Sequence, residues 1–126
     1  MERTSGKLLA ASLAFALWGG WALVVNRQAG WQPALLACLL QGTISFVITL
    51  IMAAAVTWQV RQLSTTVGKV LVPPLLTVSV TGSFLYAVHT LVHTPDVWPT
   101  IIPPSTVALF YCLFLSIQIQ RQASLP

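Results

Sequence analysis

A chain of 126 residues, 56% hydrophobic and only 6% charged, cannot present its surface to water, because a soluble domain carries roughly 25% charged residues. The length allows one domain, residues 1–126, built from about four spans of ~20 residues with short connections. Six basic residues give a net charge of +4, but they stand singly between apolar runs, as membrane-flanking anchors do, so a nucleic-acid-binding face is excluded.

Met1 to Lys7 is a short polar head with Glu2, Arg3 and Lys7. The first predicted span, Leu8 to Val25, carries no charge and is just long enough to cross. Ala14-Phe15-Ala16 fits a signal-peptidase site, but the apolar run continues well beyond it, so an uncleaved span is expected. Ser12, Ala16 and Gly20 recur every four residues, a spacing that lets another helix approach closely. Asn26 to Pro33 reads as a turn, marked by Gly30 and Pro33.

The second span, Ala34 to Trp58, carries Gln41, Ser45 and Thr49 on one helical face. An unpaired amide at Gln41 would be expensive in lipid. The stripe therefore serves either as interhelical glue or as the lining of a polar path, and glue is the expected role. Gln59 to Lys69 is the longest polar connection. The third span, Val70 to Leu91, meets Pro73-Pro74 near its start, so the helix is expected to begin or kink there. Thr77 and Thr81 are candidates to face the Gln41 stripe. The fourth span, Ile101 to Ile119, is expected to open on Pro103-Pro104, since proline suits a first helical turn. The tail to Pro126 is expected to end in solvent. The two Pro-Pro stretches, VPPLLTVSV and IPPSTVALF, would lie at opposite membrane faces, the relation an inverted repeat requires.

With the N-terminus inside, the head, middle loop and tail place five positives (Arg3, Lys7, Arg61, Lys69, Arg121) in the cytoplasm and one, Arg27, outside. The positive-inside rule then predicts that both termini are cytoplasmic. The fold class expected is an all-α membrane protein, a bundle of four transmembrane helices in a bacterial plasma (inner) membrane.

Chemistry has one concentrated stretch, His89 to Pro104 (HTLVHTPDVWPTIIPP), on the predicted outer face. His89 and His93 stand four apart, with Tyr86 about one turn earlier. On a helix the two histidines would share a side, a geometry zinc accepts, with Asp96 as an oxygen donor beyond Pro95. That set falls short of the four ligands a closed site wants, so no metal or cofactor is expected. His89, His93, Asp96 and Trp98 are instead read as an interfacial contact site, with Thr94 capping a turn that starts at Pro95. Cys38 and Cys112 both fall in apolar runs and are expected to be free thiols.

Four spans in so short a chain are similar in size to small multidrug-resistance exporters and to GtrA-like flippases. The embedded glutamate of the exporters' first span has no counterpart, and no flippase motif matches. No catalytic triad, paired carboxylates or phosphate loop is present, so enzyme activity is not expected. The function expected is that of a structural or accessory subunit, whose partners are membrane lipid and either a second copy or another membrane protein. The alternative is a small dimeric transporter or lipid-handling protein, its path lined by Gln41, Ser45, Thr49 and Thr77.

Overall fold

A computed structural model describes residues 2–123; Met1 and residues 124–126, the end of the predicted solvent tail, lie outside it. Four helices follow in order: α1 (Glu2–Asn26), α2 (Trp31–Gln62), α3 (Thr66–Leu91) and α4 (Val97–Ala123), with a 3-10 turn at Arg27–Ala29 and no strand among the described residues. All four are long and apolar enough to cross a membrane.

Each helix contains its predicted apolar run and extends beyond it. Helix α3 starts at the capping residue Thr65, whose hydroxyl accepts the Gly68 N–H at 3.0 Å, and passes straight through Pro73-Pro74. Helix α4 likewise runs from Val97 through Pro103-Pro104. Contrary to expectation α4 does not open on Pro103-Pro104, and of the two arrangements expected at Pro73-Pro74 a helix start is ruled out, since α3 begins at Thr66. Proline is tolerated there because a membrane bundle can satisfy the freed carbonyls from neighbouring elements. Pro103 leaves the Pro99 carbonyl without its backbone donor, and the Trp21 indole N–H of α1 bonds it at 2.8 Å. Trp21→Phe should therefore cost about 1 kcal/mol in detergent unfolding. The cost should shrink in a Pro103→Ala background, where the backbone supplies its own donor.

Two turns join the helices at one end. Gly30 takes φ +108° between the 3-10 turn and α2, a conformation that favours glycine. At the end of α3, His93 sits at φ +59°. Its N–H bonds the Thr90 carbonyl at 3.1 Å, and the Thr94 N–H bonds the His89 carbonyl at 2.9 Å. This is a Schellman termination with histidine where glycine is usual. Pro95 disfavours helical geometry at Thr94, so the chain must leave the helix here.

Helix α1 packs chiefly on α2 and α3 chiefly on α4, while α2 touches all three others; α1 and α3 do not meet. The α1–α2 approach is set by glycine. A Cβ at Gly19 would stand 3.0 Å from the Cys38 carbonyl oxygen and 3.4 Å from Gly42 Cα, and Gly42 in turn receives the Phe15 ring. The contact face thus runs through Ala11, Phe15, Gly19, Ala22 and Asn26. Ser12 and Ala16 point outward, and Gly20 has nothing near it.

Burial is inverted relative to a soluble protein. The apolar core is small, with Met52, Val56, Val60 and Cys112 between α2 and α4. Large side chains such as Leu13, Leu17, Phe110 and Phe114 are exposed, whereas Asn26, Gln41, Gln59, His89, Thr100 and Ser116 are buried. Helices with this arrangement suit an apolar solvent.

Candidate functional site

Six of the buried polar side chains form two knots near the turns at residues 26–31 and 92–96, while Gln59 and Ser116 lie outside them. The first is centred on His89, wholly buried like Gln41. Gln41 Oε1 lies 2.9 Å from His89 Nε2 and is an acceptor, so Nε2 carries the hydrogen and donates it. With the ring neutral, Nδ1 is the acceptor, and the Thr94 hydroxyl donates to it at 2.7 Å. Gln41 Nε2 continues the chain by donating to Ser45 Oγ at 3.2 Å, and the Thr49 hydroxyl donates to the Ser45 carbonyl at 2.7 Å. One neutral imidazole thereby ties α2, α3 and the α3–α4 turn together.

The second knot is a closed ring. Asn26 Oδ1 accepts the Asp96 backbone N–H at 2.9 Å, the Asp96 carbonyl accepts the Thr100 hydroxyl at 2.6 Å, and Thr100 Oγ1 accepts from Asn26 Nδ2 at 2.9 Å. The other Asn26 amide hydrogen goes to the Ala22 carbonyl at 2.8 Å. Both amide hydrogens and one lone pair of Oδ1 on Asn26 are thus used, so neither polar atom of this buried amide lacks a partner. Asn26 is the only asparagine in the chain. Sequence reading left it in a turn, and that rarity was the one signal available.

The expected outer-face cluster separates. His89 points inward, and His93 lies beyond the helix end, exposed, so the two do not share a helical side. Thr94 does not cap a following turn: its hydroxyl is bonded to His89, and the Asp96 N–H goes to Asn26 Oδ1 instead. The Asp96 side chain is exposed, and its backbone rather than its carboxylate joins the ring. Trp98 is exposed and stacks on Tyr86, ring centroids 5.0 Å apart at 31°. Among the described residues no three of His, Cys, Asp and Glu come together as metal ligands. Cys38 and Cys112 are both free thiols.

The Gln41–Ser45–Thr49 stripe stays together, but Thr77 does not join it. Thr77 accepts from Gln59 Nε2 at 2.8 Å, and Gln59 Oε1 is buried without a partner. Thr81, one turn further along α3, takes the place expected of Thr77. With Gln41, Ser45, Thr49, Ser105 and Tyr111 it supplies the polar lining of a cavity of about 110 Å³ between α2, α3 and α4. Ser105 Oγ is buried there with no hydrogen-bond partner, an arrangement that costs about 1–3 kcal/mol while unmet.

No protein-family model matches the chain, and no curated protein or solved structure is similar to it. Function therefore rests on these side chains alone. Chemically, the two knots can position helices and hold a neutral hydrogen-bonded chain. Among the described residues, no charged side chain takes part in either knot.

Proposed function

We propose that this chain is an integral protein of a plasma (inner) membrane, with both termini cytoplasmic, acting as a compact non-enzymatic accessory subunit that associates with itself or another membrane protein. The observation that carries the reading is how the conspicuous polar residues are used. His89, Gln41, Asn26 and Thr100 are spent on one another across helices, which is a scaffold's use of buried polarity. The orientation is supported by five basic residues at one set of ends and Arg27 alone at the other. Association is supported by the Ser12–Ala16–Gly20 face, which the α1–α2 packing leaves uncovered.

Reporter fusions after Gly30 and after Asp96 should both report an exterior location, and a cytoplasmic signal from either would overturn the topology. Native mass spectrometry after gentle solubilisation should find the chain bound to a copy or a partner. Gly20→Leu, which meets nothing within the chain, should release it as a folded monomer. A wild-type chain that is always solitary would remove the accessory reading.

A further inference from the structure

We infer that the cavity between α2, α3 and α4 is a binding site for the uncharged, hydroxyl-bearing head of an apolar-chain lipid entering sideways from the bilayer. The proposal goes beyond an accessory role and rests only on the chain being membrane-inserted.

Four observations lead to it. The cavity's position is lateral: its rim includes Val107 and Tyr111, 51% and 48% exposed, one helical turn apart on α4, together with Trp18 of α1. Their neighbours Phe110 and Phe114 are exposed on the same helix, so the opening faces the apolar surroundings rather than either loop end. Above it α1 and α4 are clasped by Trp21–Pro99 and Asn26–Thr100, which leaves the gap below them as the way in.

Its size is restrictive. At about 110 Å³ it is smaller than the ~150 Å³ cavity that holds a benzene ring, so a head of about four or five heavy atoms fits while the tail stays outside. Its chemistry is mixed. Ile48, Met52 and Leu85 give apolar walls, and Ser45, Thr81 and Ser105 bring hydroxyls that can both donate and accept. A hydroxyl on the ligand does both as well, and a χ1 rotation of Ser105, whose Oγ is buried and unpartnered, would bring the two together. Finally, no ionisable carboxylate, ammonium, guanidinium or imidazole lines the chamber, so a charged head would enter without a counter-charge.

The test uses the full chain in phosphatidylcholine–phosphatidylglycerol vesicles and a photoactivatable diazirine derivative of octanol. Labelling is expected on the Ser105–Tyr111 or Gln41–Met52 segment, competed by unlabelled decanol. Ser105→Ala and the nearly isosteric Thr81→Val should each weaken labelling about three- to tenfold, the worth of one hydrogen bond. Ala108→Phe, which fills the chamber, should nearly abolish it, with a cooperative unfolding transition retained in every variant, and raised in Ser105→Ala where an unmet hydroxyl is removed, showing that each one folds. Equal labelling by the corresponding diazirine octane would overturn hydroxyl recognition. Absence of labelling in a chain that floats with the vesicles would overturn the site. A chain that fails to float would overturn membrane insertion and the proposal with it.

Discussion

His89→Leu should destabilise the protein by about 2–4 kcal/mol, read as a lower midpoint in thermal or sodium dodecyl sulfate unfolding from detergent micelles. The side chain is fully buried, and its loss strips partners from both Gln41 Oε1 and the Thr94 hydroxyl. Unpaired buried groups cost more than the bonds were worth. Gln41→Leu alone should cost about 1–3 kcal/mol, because His89 Nε2–H then has no acceptor. The double variant should recover part of the loss, with a coupling of at least about 1 kcal/mol, since neither amide nor imidazole is left stranded. Strictly additive losses would show that the two residues are not partners. The same Gln41→Leu protein separates glue from path: a glue residue changes stability, whereas a path residue changes transport in a chain that assembles normally.

Gly19→Leu should cost about 2–3 kcal/mol by the same measurement, while Gly20→Leu should stay within about 0.5 kcal/mol. At Gly19 the new Cβ faces backbone, the Cys38 carbonyl and Gly42 Cα, and neither can swing aside. The two helices would have to separate along their length. Equal losses at both positions would place the α1–α2 contact on the wrong face of α1.

The contrast between those neighbouring glycines shows where the sequence stops being informative. Run lengths of apolar residues name four helices, because a backbone in lipid has few other ways to satisfy itself. They do not name the rotation of each helix, since α1 has no polar stripe within its apolar run and α2 has only the short one at Gln41, Ser45 and Thr49. The small-residue spacing in Ser12, Ala16 and Gly20 was therefore visible, yet the contact within the chain uses Gly19. Helix ends were hidden for a related reason: Thr66–Lys69 and Val97–Thr100 are polar or proline-bearing turns that continue a helix without continuing the apolar run. The Gln41 stripe was legible as a face that needs partners. Its partner His89 lies 48 residues away, a pairing that helix rotation and the Schellman turn at His93 decide. Thr77 and Thr81 share a face, and only the register of α3 against α2 sends the first to Gln59 and the second to the cavity.

The pairing of α1 with α2 and of α3 with α4 also sets a timetable. During synthesis the first hairpin is finished while the residues that complete it are still on the ribosome. Gln41 Oε1 and Asn26 Oδ1 then still lack the donors that His89 and the Asp96 N–H supply, although each amide nitrogen already has an acceptor within the hairpin. The second hairpin carries the mirror deficit in His89 and Thr100. Each half thus carries unmet hydrogen-bonding groups until it meets the other, and both knots are complete only once the hairpins are docked.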